Sequence, residues 1–137
     1  MKGPSPGGHL RRLAGLGEVR ARVRLRAWPG GERCEEVELT VDTGSTYSWI
    51  PGPVLQRLGV RPARRARFRT IEGRVIERWV GHALMEYGGE EAPTVVVFAE
   101  EGDACVLGLH ALEALGLEVD PTTGELRKSE ALMAYAV

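Results

Sequence analysis

The chain lacks the residue sets of most common enzyme chemistries. It has no Gly-x-Ser-x-Gly, no His-Glu-x-x-His and no phosphate-binding loop. Gly15-Leu16-Gly17 has no third glycine and precedes a strand pattern instead of following one, which excludes a dinucleotide fingerprint. Its two cysteines, Cys34 and Cys105, are isolated, with no Cys-x-x-Cys spacing and no His nearby, so no metal site is expected; two buried thiols in a reducing compartment are. His9, His82 and His110 are scattered, and surface or packing roles are expected for each. No apolar run approaches the roughly 20 residues of a membrane span. The Gly- and Pro-rich start, Met1 to Leu10, lacks the apolar centre of a secretory signal, so a cytoplasmic location without membrane contact is expected. Neither charge sign dominates: 18 Lys and Arg against 19 Asp and Glu leave a net charge of −1, with no global field to gather nucleic acid. Asn is absent, and Asp occurs only as Asp42, Asp103 and Asp120.

What remains is the composition of one globular domain: 137 residues, 43% hydrophobic and 27% charged, enough for a single core. We expect a flexible segment over 1–17, a folded domain over 18–128, and a tail over 129–137 that reads as a short helix or as a strand joining a second copy. From Glu18 to Trp28, Val19, Ala21, Val23 and Leu25 alternate with Arg20, Arg22, Arg24 and Arg26, the period of a half-buried strand. Pro29-Gly30-Gly31-Glu32 turns the chain into a second strand, Arg33 to Val41. Pairing Ala27 with Arg33 sets Arg24 opposite Glu36, Arg22 opposite Glu38 and Val23 opposite Val37. Trp49-Ile50 closes a short strand before Pro51. Pro53 to Leu58 and His110 to Leu115, each followed by Gly, predict short helices. Arg67 to Ile71 and Arg74 to Val80 flank Glu72-Gly73 as a long hairpin whose second arm runs on to Tyr87. Gly88 to Pro93 is expected to break the pattern before a buried strand, Thr94 to Ala99. Leu117 to Val119 and Glu125 to Arg127 form a last hairpin around Asp120-Pro121-Thr122-Thr123-Gly124. Arg61, Arg64, Arg65, Arg67 and Arg69 form the one dense charge patch, read as the solvated face of a strand with anion binding as the other reading.

One segment points to chemistry. Leu39-Thr40-Val41-Asp42-Thr43-Gly44-Ser45 ends a β-branched strand in a carboxylate, a hydroxyl and a glycine, delivering the acid at a strand end where Gly44 permits close backbone approach. Further on, Val106-Leu107-Gly108 precedes the second short helix. Taken in order, Val41-Asp42-Thr43-Gly44-Ser45, a hairpin tipped by Gly73, and Val106-Leu107-Gly108 resemble the retropepsin-like aspartic proteases, over roughly Glu18 to Lys128. The closing Leu115-Gly116-Leu117-Glu118-Val119-Asp120-Pro121 is similar to the bacterial and archaeal single-domain members.

The resemblance implies an all-β fold, a closed β-barrel with a flap hairpin and one or two short helices. It implies an aspartic endopeptidase in which Asp42 is the catalytic carboxylate, Thr43 links two loops across a dimer, Gly44 sets its N–H near the carboxylate and Ser45 donates a further hydrogen bond. Ile71, Glu72, Gly73, Arg74, Val75 and Ile76 would form the flap over an extended peptide, and Val106, Leu107 and Gly108 would lie beneath the active-site loop. Such chemistry needs two carboxylates sharing a proton. Neither Asp103 nor Asp120 sits in an Asp-Thr-Gly setting, so the second Asp42 is expected from a second copy. No metal or organic cofactor is required. Two departures from the retroviral pattern stand out: Thr46 and Leu109 occupy places that often hold a supporting Asp and Arg, and the hairpin tip Glu72-Gly73-Arg74 is charged. The alternative is a catalytically silent peptide-binding domain of the same fold. An interaction module resting on the arginine patch is a third reading.

Overall fold

A computed structural model describes residues 18–129. The segment 1–17, with His9, and the tail from 130 lie outside the described residues. The order is β1 (Arg20–Arg26), β2 (Glu35–Val41), β3 (Ser48–Pro51), α1 (Gly52–Leu58), β4 (Arg64–Arg69), β5 (Val75–Tyr87), β6 (Glu90–Ala99), β7 (Val106–Leu107), α2 (Leu109–Leu115), β8 (Leu117–Val119) and β9 (Leu126–Lys128).

Six strands close a ring, β1-β2-β7-β3-β6-β5, completed by pairing of β1 with β5 at Arg24↔Glu86, Leu25↔Met85 and Arg26↔Leu84. β4 hangs outside the ring on β5, and β8 and β9 form a separate hairpin. The β1–β2 register is the expected one, with Arg24↔Glu36, Val23↔Val37 and Arg22↔Glu38. Alternation turns Ala21, Val23 and Leu25 into the core while the arginines between them face outward.

Alternation also divides the apolar side chains between two cores. Ile50, Val96, Phe98, Leu107 and Met85 face one side, where Leu55 and Leu58 of α1 and Ala111, Leu112 and Leu115 of α2 complete the main core. Trp49, Val97, Ala99 and Val106, their sequence neighbours, face the other side and form a smaller cluster with Val80. That is why Thr94 to Ala99 reads as a continuous apolar run: its strand is covered on both faces.

Two expectations are corrected. Gly88 to Pro93 does not break the sheet. Gly88 and Gly89, both at positive φ, make a two-residue turn whose handedness matches the strand twist, and β6 starts at Glu90. Pro93 is tolerated there because β3 pairs only with Val96–Ala99, so among the described residues β6 has β5 as its one partner strand at that point. The thiols are not both buried: Cys34 is exposed in the β1–β2 connection and Cys105 is half-buried before β7. Burial, with Asp103 nearby, pushes the Cys105 thiol up, away from thiolate reactivity.

Candidate active site

The site is assembled by the parallel pairing of β2 and β7, Thr40↔Val106 and Val41↔Leu107, which brings two strand ends side by side. β2 delivers Asp42 and β7 delivers Gly108. The Asp42 amide donates to the Leu107 carbonyl at 2.9 Å, one residue beyond the end of β2. The Ser45 amide donates to the Asp42 carbonyl at 3.1 Å, and the Gly44 amide donates to Asp42 Oδ1 at 3.0 Å. This is the turn that Asp followed two residues later by Gly favours, and it fixes the carboxylate by a charge-assisted bond. Asp42 is buried, whereas Thr43 and Gly44 at the tip of the loop are exposed.

The loop is held down by the start of α2. Gly108 gives that helix no side-chain cap. Its first amide groups, which lack intrahelical partners, bind loop carbonyls instead: Leu109 N–H to Ser45 O at 2.8 Å and His110 N–H to Thr46 O at 3.0 Å. The buried Ser48 hydroxyl accepts from the Gly108 amide at 2.9 Å. Ser45 donates its hydroxyl to the Tyr47 carbonyl at 2.8 Å, so its hydrogen bond braces the loop and does not reach the carboxylate. Gly108 is required by space alone. A β-carbon there would lie 2.8 Å from Ser45 O and closer still to Tyr47 O, and both obstacles are backbone. At Thr46 and Leu109 the two segments are thus joined by backbone bonds, the Thr46 carbonyl to His110 and the Leu109 amide to Ser45, instead of by an ion pair.

The β4–β5 hairpin ends in a turn organised by Thr70. Its amide donates to Arg74 O at 2.8 Å, its carbonyl accepts from Gly73 N–H at 2.9 Å, and its hydroxyl accepts from Arg74 N–H at 3.1 Å. Gly73 sits at φ 92, a conformation natural to glycine. Ile71 and Val75 project into solvent at 66% and 45% exposure, with Glu72 and Arg74 also exposed and Ile76 half-buried. At the hairpin root, Arg78 grips Asp103 with two bonds, 2.7 and 2.9 Å, and approaches Glu100 at 3.5 Å. Burial by itself would push the Asp103 carboxyl up. The Arg78 guanidinium and the Glu100 amide outweigh it and hold the carboxyl below its usual value of 3.8.

Sequence reading missed the aromatic wall between hairpin and loop. Phe68 of β4 meets Trp49 edge-on at 5.0 Å and Tyr47 at 6.4 Å, and Tyr47 in turn meets His110 at 5.3 Å. Ile76 and Val106 pack in the same cluster. A signal was present: Ala66 and Phe68 alternate with Arg65, Arg67 and Arg69, marking the face of β4 that must turn inward. Among the described residues, no group of His, Cys, Asp or Glu side chains could hold a metal ion, and no helix is long and apolar enough to cross a membrane.

A ring of strands carrying an Asp-Thr-Gly turn, latched to the head of a short helix at Gly108, is the arrangement that the resemblance to retropepsin-like proteases implies. The family described as gag-polyprotein putative aspartyl protease matches residues 33–114, more than half of the chain, and the chain belongs to this retropepsin-like aspartyl protease family. No curated protein matches the chain at a significant level.

Proposed function

We propose that the protein is an aspartic endopeptidase that works as a homodimer, its two Asp42 carboxylates facing each other across the two-fold axis. One observation carries the second half of this reading: neither other aspartate is placed to serve. Asp103 is committed to Arg78, and Asp120 accepts the Thr122 amide at 2.8 Å in the β8–β9 turn and pairs with Arg127 at 3.2 Å. The exposed Thr43-Gly44 tip is the part of the loop free to meet its counterpart.

In the paired site two adjacent carboxylates cannot both ionise, so they share a proton and titrate as a unit. The ionised member takes a proton from a bound water as it attacks the peptide carbonyl, and the protonated member gives its proton to the developing oxygen. The peptide would lie extended between the hairpin and the Asp42 loop, along the half-buried Tyr47, Phe68 and Ile76 that cover Trp49 and Val106, with the hairpin tip Ile71 to Ile76 acting as the flap.

The test is digestion of a diverse peptide mixture by concentrated protein from acidic to neutral pH, beside Asp42→Asn, with sedimentation at the same concentrations. Cleavage by wild type that rises with the dimer and vanishes in Asp42→Asn is expected. Cleavage that survives in Asp42→Asn overturns the reading. Intact peptides with both proteins, coupled to binding by both, replace it with the silent peptide-binding domain.

A further inference from the structure

β4 ends the strand order, so among the described residues one of its edges has no strand beside it. Along this strand and the residues before it lie Arg61, Arg64, Arg65, Arg67 and Arg69, five of the chain's 18 basic residues, all exposed. The pairing Arg65↔Trp79, Arg67↔Glu77 and Arg69↔Val75 puts Arg65, Arg67 and Arg69 on one face of the hairpin with two exposed apolar side chains, Trp79 and Val75. This is the face opposite Phe68 and Ile76, away from the aromatic wall. Arg65 reaches Glu77 at 3.3 Å and lies over the Trp79 ring at 5.2 Å. Among the described residues, Arg61, Arg64, Arg67 and Arg69 have no carboxylate within ion-pair distance.

The same protein shows what such a row accepts. β1 carries arginine at every second position, and each is near a carboxylate: Arg20 with Glu18 and Glu38, Arg22 and Arg24 with Glu36, Arg24 also with Glu86, and Arg26 with Glu91. The strand supplying Glu36 and Glu38 spaces them two apart, in register with Arg24 and Arg22. We propose that the β4 edge docks an extended acidic segment of a partner polypeptide, added as a further strand with carboxylates at alternate positions beside Arg65, Arg67 and Arg69. Strand addition uses the free backbone groups of the edge, and alternate side chains then fall on one face. A polypeptide fits better than nucleic acid because only a strand uses those backbone groups, and because the rest of the chain is acidic once these arginines are set aside.

The docking is tested in full-length Asp42→Asn protein, so that its outcome is separate from that of the proteolytic reading. The probes are a peptide of alternating Glu and Val, the same residues with all Glu in one block, and a single-stranded oligonucleotide of matched charge. Binding is read by anisotropy and by amide NMR of β4. The alternating peptide should bind with shifts centred on Ala66 to Arg69, weaken with salt, and weaken about tenfold or more when Arg65, Arg67 and Arg69 are all changed to Glu. The Arg→Lys triple, which keeps the charge, should bind nearly as well and guards against loss of fold. Equal binding of the two peptides, tighter binding of the oligonucleotide, or concentration-dependent β4 shifts without peptide, which assign the edge to a second copy, would each overturn the proposal.

Discussion

β1 and β4 are written in nearly the same letters, Arg-Ala-Arg-Val-Arg-Leu-Arg and Arg-Arg-Ala-Arg-Phe-Arg, yet they end in opposite circumstances. β1 is held on both edges, by β2 and by β5, and its arginines meet glutamates on the strands beside it. Among the described residues β4 is held on one edge, and most of its arginines face solvent without a carboxylate. The first arrangement closes the ring that carries Asp42. The second leaves a hairpin whose position depends on Phe68 and on the Arg78–Asp103 grip at its root. Alternating arginine therefore says where a strand meets water, and the neighbouring strand decides whether the charge is spent inside the fold or offered outward.

The contrast can be broken most severely at the joint that fixes β2. Gly108→Ala forces a β-carbon against the Tyr47 and Ser45 carbonyls and should lower stability by about 3 kcal/mol, read by urea denaturation, with loss of any Asp42-dependent activity. On the hairpin side, Asp103→Asn leaves Arg78 with the more distant Glu100 as its carboxylate partner and should cost about 2 kcal/mol, with the largest NMR changes at the hairpin root. The same pair predicts a pH dependence. Asp103 has a depressed folded value, so its contribution is fully present above the ordinary carboxyl range and is lost as pH falls through 3.8 toward that lower value. Wild type should lose stability in that window more steeply than Asp103→Asn. Phe68→Ala removes the edge contacts to Trp49 and Tyr47 and should cost about 2 kcal/mol while raising KM for a cleaved peptide more than it lowers kcat. Smallest are the surface charges. Arg24→Ala should lower the melting temperature by about one degree, an effect erased by salt, whereas Arg67→Ala should leave it unchanged. Equal shifts for these two would dissolve the comparison between the strands.

The β1–β2 register was legible because charge and hydrophobicity alternate together there: a one-residue slip would bury Arg22 and Arg24 and set Arg22 opposite Val37 or Leu39 and Val23 opposite Glu36 or Glu38. Both short helices were legible from the glycines that stop them, Gly59 and Gly116, each left-handed in the structure. The Asp42–Gly108 neighbourhood was not readable from either segment alone, since a parallel pair of strands distant in sequence leaves no local pattern; the ordered motifs of a family supplied it. Closure of β1 on β5, the Arg78–Asp103 grip and the aromatic wall are contacts of the same long-range kind. Pro93 misled because a proline reads as a breaker until the missing neighbour on that side of the strand is known. Cys34 misled because a cysteine in a connection follows the connection to the surface.

The three tryptophans fall in three different surroundings, and this gives the molecule a built-in set of optical reporters. Trp49 is sealed, at 1% exposure, in the cluster beside the candidate site, while Trp79 on the outer face of the hairpin and Trp28 after β1 are 43% and 54% exposed. Emission should therefore separate into a blue component that dissolved quenchers cannot reach and a red one that they extinguish. A ligand on the β4 face would alter the red light, and one lodged against the aromatic wall would alter the blue.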